Sequence, residues 1–268
     1  MNVVESQQTS NNMSFFKRIT YIDGIYPDFK ISLIQNPSRF FAIPLIGILV
    51  KAVMLIPVAI VLIFLGVWLF LTVILINPLI VLITGKYWTH AYNFSVGYLR
   101  LGSKISSYLY GLTDKYPGFN FRNDDGLTLE IPLNENPRRL FAIPLVGGFI
   151  RIILLIPYIV FQNIIAQAAT IGVFILAWAM VLFSGKYPEG IFELARDAIR
   201  VNGSVTAYIL GLSDRYPSFY ISMAHDKIKL ILIAIAIIFS GWSYSSDFPP
   251  YQEELSPPPS LDLKFLKD

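Results

Sequence analysis

The chain has 268 residues, of which 54% are apolar and only 15% charged, against about 25% charged in an ordinary soluble domain. A net charge of +3 with dispersed basic residues excludes a nucleic-acid binder, and the absence of Cys excludes disulfides, thiol chemistry and cysteine-ligated metal. The 20 Phe and 15 Tyr suit a chain with much of its length near lipid headgroups.

Residues 1–20 are polar, lack apolar periodicity and end in Lys17 and Arg18, so they read as a flexible arm. Two units follow, 21–119 and 120–219, because Gly85 to Phe119 reappears as Gly185 to Phe219 at a displacement of 100 residues. Phe29, Ile31 and Leu33 alternate with Lys30, Ser32 and Ile34, which predicts a short strand. Its counterpart, with Leu129, Ile131 and Leu133, follows the turn signal Asp124-Asp125-Gly126.

The apolar runs Arg39 to Gly85 and Arg139 to Gly185 are each 47 residues long. A single helix of that length would reach roughly 70 Å against a bilayer core of about 30 Å. Each run is therefore expected to fold back as a helical hairpin, with tips near Gly66 and near Gln162, Asn163 and Gln167. The crossings would be Phe41 to Phe64 and Val67 to Thr84, then Phe141 to Phe161 and Ala168 to Ser184. With an even number of crossings per unit, the repeats are expected to be parallel.

After each run comes an amphipathic segment suited to an interfacial helix. The first carries His90, Asn93, Gly97, Arg100, Lys104 and Ser107 as its polar stripe, and the second Glu193, Arg196, Asp197, Arg200 and Ser204. Gly111 and Gly211 stand where a left-handed helix cap is needed. Residues 220–242 hold a short apolar core, Ile228 to Trp242, expected as a fifth short membrane helix with snorkelling Lys227 and Lys229. Residues 243–268, rich in Pro, read as a disordered tail. Lys and Arg gather on the strand and amphipathic side and are missing from the expected tips, which places that side in the cytoplasm and predicts a multi-pass membrane protein.

The motifs resemble those of the bacterial membrane proteins grouped as domain of unknown function 4389. The second unit supplies Arg139, Arg151, Ile156-Pro157, Gly185-Lys186-Tyr187-Pro188, Arg200 and Leu212 to Phe219; the first supplies Arg39, Lys51, Ile56-Pro57, Gly85-Lys86-Tyr87 and Leu112 to Phe119, departing at Trp88. The resemblance implies a protein of the bacterial inner membrane with two tandem units, and no activity.

Lys51 and Arg151 are equivalent charges. Each lies near mid-bilayer if its helix enters at Arg39 or Arg139, and at the interface if the preceding residues run along the surface. Asp114 with Tyr116 and Asp214 with Tyr216 form matching turns whose carboxylates either accept local backbone amides or serve as a symmetric reactive pair. Arg100, Lys104, Arg196 and Arg200 are the candidate contacts to lipid headgroups or a partner. His90 and His225 stand alone, so no metal is expected, and no cofactor motif is present. The fold class expected is an α-helical integral membrane protein with two tandem repeats and short β elements outside the bilayer. Its expected partners are membrane lipids, with a membrane protein or a second copy as further candidates. The function reading is non-catalytic organisation of lipid or a partner, with a transporter or channel path along Lys51, Arg151, Gln162, Asn163 and Gln167, or a lipid-modifying enzyme, as alternatives.

Overall fold

The computed structural model describes residues 26–143, 146–222 and 226–247. The expected arm, His225 and residues 248–268 of the expected tail lie outside them; residues 243–247, expected as disordered tail, are helical instead, since the Pro-rich run begins only at Pro249. In chain order the named elements are β1 (Asp28–Ile31), α1 (Ile46–Thr84), α2 (Thr89–Leu109), β2 (Leu127–Glu130), α3 (Val146–Ser184), α4 (Glu189–Ile209) and α5 (Asp226–Asp247). Single 3-10 turns at Phe40–Ala42 and Arg139–Ala142 precede the two long helices.

The hairpin expectation is corrected. α1 and α3 are each one uninterrupted helix of 39 residues, with π-helical stretches at Phe70–Ile76 and Gly172–Ala177. The residues taken as tips provide no turn: one helical Gly costs only about 1 kcal/mol relative to Ala, and Gln is a good helix former. Gly66 instead admits Tyr98, whose hydroxyl lies 3.3 Å from where a Cβ would stand. Gln162 donates to Asn202 at 2.8 Å, and Gln167 accepts from Ser240 at 2.8 Å. The polar residues of α3 thus tie it to α4 and α5. By length and composition both long helices are able to cross a membrane.

The start of each long helix is set by a close approach. A Cβ on Gly47 would stand 2.1 Å from the Phe41 carbonyl oxygen, and one on Gly147 equally close to that of Phe141, so only glycine lets the 3-10 turn fold onto the first helical turn. α2 and α4 end as the sequence predicts, in Schellman motifs. Gly111 donates to Tyr108 and Leu112 to Ser107; Gly211 donates to Tyr208 and Leu212 to Ala207.

The expected strands form in part, with Leu33, Ile131 and Leu133 outside them, and they pair with each other. β1 and β2 are antiparallel in the register Asp28↔Glu130, Phe29↔Leu129, Lys30↔Thr128 and Ile31↔Leu127. Phe29 therefore faces its own equivalent, the residue 100 positions later, as happens only where a two-fold axis passes through the pair. The rest of the molecule obeys the same axis. Tyr87 Oη donates to the Leu210 carbonyl at 2.9 Å, and Tyr187 Oη to the Tyr110 carbonyl at 3.0 Å. Arg39 reaches over Gly185, and Arg139 over Gly85.

This corrects the expectation of parallel repeats. Within a unit α2 returns along α1, so that Lys51 meets the end of α2 at Tyr108 while Asn77 meets its start at Trp88. The linker then runs back along α2. Lys104 donates to the Asn120 and Arg122 carbonyls, Arg100 to that of Leu129 and Tyr92 to that of Ile131. Three passes per unit deliver the chain to the opposite end before α3 begins, so α3 runs antiparallel to α1. The sheet lies on α2 and α4: Phe29, Leu127 and Leu129 are buried, while Lys30 and Glu130 are exposed.

α5 has no counterpart among the described residues. It packs on α3 and α4, with Leu232 against Gly172 and Ile191. The expectation of a snorkelling Lys229 is corrected here. Lys229 is fully buried, donating to Glu193 at 2.6 Å and to the Ser222 carbonyl at 2.8 Å. A fixed acidic partner and a carbonyl compensate its desolvation, so it has no need to reach for the interface.

Candidate functional site

The structure joins the charge in each long helix to the carboxylate of the turn in the same unit. Lys51 is buried and donates to the Tyr108 carbonyl at 2.8 Å, with Asp114 at 4.0 Å. Its ammonium lies over the rings of Phe41 and Tyr108, at 5.2 and 4.9 Å from their centroids. Arg151 is held more tightly. It donates to the Tyr208 and Ser213 carbonyls and forms an ion pair with Asp214, stacked between Phe141 and Tyr208. The planar guanidinium supplies several fixed donors where an ammonium offers a point charge.

Each Asp also fastens the entry to its long helix. Asp114 accepts from the Ser38 amide at 2.7 Å, and Asp214 from the Arg138 amide at 2.7 Å and from Asn134 at 3.0 Å. The carboxylates thus bind backbone amides as expected, but 76 positions back in the chain rather than within their own turn. Tyr116 stands edge-on to Tyr108, and Tyr216 edge-on to both Tyr158 and Tyr208, closing the turns with aromatic contacts.

A residue that sequence reading missed completes each site from the other unit. Tyr187 lies beside Gly111 and Lys51, and Tyr87 beside Gly211 and Arg151. Burial pushes both phenols above their ordinary range, so they remain hydrogen-bond donors across the interface. Their place in the repeated Gly-Lys-Tyr motif was visible; their partner in the other unit was not.

The basic residues of the amphipathic helices are largely committed within the chain. Lys104 is buried on its two linker carbonyls and pairs with Asp124 at 3.0 Å. Arg200 is buried, bonded to the Tyr220 carbonyl at 2.6 Å and paired with Asp197 at 3.7 Å. Arg100 and Arg196 are half-buried. Lys51 and Arg151 lie at opposite ends of the molecule, as do Asp114 and Asp214, so the residues expected along a path or in a reactive pair are not brought together. No cluster of three or more metal-ligating side chains occurs among the described residues.

The two ends also differ in the space beside the buried charge. Beside Arg151 lies a cavity of about 590 Å³, open at one side and lined by Ile74, Pro78, Tyr87, Arg138, Phe149 and Leu210 among others. The equivalent space beside Lys51 has shrunk to about 10 Å³. Phe174, Trp178 and Tyr110 stack edge to face there, where the cavity has Ile74, Pro78 and Leu210.

Fold and sites together define an internally duplicated helical protein, closed by a two-fold axis and carrying two membrane-length apolar helices. The chain belongs to the family described as domain of unknown function (DUF4389), whose model matches residues 46–120 and 147–220, more than half of the sequence in two tandem regions. No characterised protein and no solved structure matches it.

Proposed function

We propose that the protein is a non-catalytic membrane protein that lies in one leaflet, with α1 and α3 parallel to the bilayer plane, and organises the lipids around it. The observation that carries this reading is the position of the sheet. Arg100, halfway along α2, holds Leu129 at the axis, and Tyr98 on the same stretch meets Gly66, the middle of α1. The sheet therefore stands over the middle of the long helices. If those helices crossed the bilayer, Lys30, Glu130 and Asp125 would be exposed at mid-depth, where unpaired strand edges and charges are not tolerated. A straight crossing is also unsuitable, because 39 residues reach roughly 58 Å against a core of about 30 Å.

Laid flat, the layers suit their surroundings. Ile46, Leu49, Val53, Ile56, Ile60, Ile63 and Val67 present one exposed apolar face of α1 to acyl chains. α2 and α4 sit at headgroup level, where the half-buried Arg100 and Arg196 are the headgroup contacts we retain, and the sheet reaches water. None of these charged linkers has to be translocated, so the leaflet is the cytoplasmic one of the bacterial inner membrane. Membrane lipids are the partners.

Spin labels on cysteines at Ile46, Ile63 and Ile83 test the orientation, since the native chain has no Cys. Equal depths at the three sites are expected in liposomes. A deep middle site between two shallow ends would show that α1 crosses.

A further inference from the structure

We infer that the cavity beside Arg151 is a binding site for the acyl chain of an anionic membrane lipid. The proposal rests on the leaflet orientation above. Three observations lead to it. The wall is apolar, and its rim residues Phe70, Phe149 and Ile152 are among the exposed hydrophobics of α1 and α3, so the opening faces the lipid. The volume, about 590 Å³, falls within the range of roughly 300–1,000 Å³ typical of ligand pockets. Charge is placed at one edge only: Arg138 lines the cavity and is exposed, whereas its equivalent at the sealed end is the neutral Ser38.

The sealed end acts as an internal control, because the same backbone figure there encloses almost no space. Phe174, Trp178 and Tyr110 occupy the volume that the Arg151 end leaves open. Duplication has thus left one end filled by the protein's own side chains and the other able to receive a chain from the bilayer. Arg151 itself is occupied by Asp214 and two carbonyls and acts as a wall. Arg138, exposed and without an ion pair among the described residues, presents a guanidinium face that a phosphate or carboxylate headgroup pairs with in bidentate fashion.

Native mass spectrometry of the full chain, released from nanodiscs of equal phosphatidylglycerol and phosphatidylcholine, tests the site. The expected result is one retained anionic lipid per chain, with the adduct mass separating a phospholipid from a co-purified fatty acid, both of the proposed chemistry. Ile74→Phe, Pro78→Trp and Leu210→Tyr together transplant the sealed arrangement and should cut occupancy at least tenfold with an unchanged melting curve. Arg138→Ser, a surface change, should keep the adduct but erase the preference for phosphatidylglycerol. Undiminished occupancy in the filled variant, or no headgroup preference in the unaltered chain, overturns the proposal. The spin-label depths are read separately: equal depths with no retained lipid sink the site alone, whereas a deep middle label sinks the orientation and the site with it.

Discussion

The two units share one backbone figure yet carry their charges differently, and the contrast shows which parts of the repeat are structural. At one end Lys51 makes one carbonyl bond and a distant ion pair, inside a packed aromatic shell. At the other, Arg151 makes two carbonyl bonds and a close ion pair beside an open cavity. Exposure differs as well. Only 17% of the most apolar window of α1 is buried, against 44% of that of α3, because α5 covers α3. The second unit is the scaffold, and the first keeps its apolar face for lipid.

Removing the buried charges should break the comparison most strongly. Arg151→Ala strands Asp214 and two carbonyls, and breaking a buried pair costs about 3–5 kcal/mol. Lys51→Ala, losing a 4.0 Å pair, should cost about half of that. Denaturation in detergent micelles is the measurement, and equal losses would show that the tighter Arg151 network contributes nothing extra. Lys229→Met should have an effect of the same order as Arg151→Ala. It removes two hydrogen bonds to a charged donor, each worth about 1.5–3 kcal/mol, and frees α5. Hydrogen exchange should then rise along α3 and remain unchanged along α1.

Smaller effects sharpen the symmetry. Tyr87→Phe and Tyr187→Phe should each cost about 1 kcal/mol, with similar values, since each deletes one equivalent bond across the axis. A several-fold difference between them would mean that the axis does not hold energetically. Because burial raises both phenols, their contribution is complete below the unfolded value near about 10 and falls as pH rises beyond it. The double variant should therefore lose less stability than the unaltered chain between neutral pH and strongly alkaline pH.

Local chemistry was legible in the sequence. Gly111 and Gly211 gave the helix ends, Asp124-Asp125-Gly126 gave the turn before β2, and the 100-residue displacement gave the units. The pairing of Lys51 with Asp114 and of Arg151 with Asp214 was not legible, although all four residues stood out, because 63 positions separate each pair and no periodicity connects them. The direction of the second unit was hidden for a similar reason. It depends on the linker climbing α2 through bonds from Lys104, Arg100 and Tyr92 to main-chain carbonyls, which any sequence offers. Gly66 and Gln162 misled because polarity within an apolar run resembles a turn when the partner helix is unknown.

The register of Phe29 on Leu129 has an ancestral meaning. A strand that faces its own copy needs no second kind of strand, so a chain with a single unit would close the same figure only by meeting another molecule of itself. In the duplicated chain that encounter is intramolecular and independent of protein concentration. With the halves joined, each end can differ without altering the other, and Trp178 fills a space that Pro78 leaves empty.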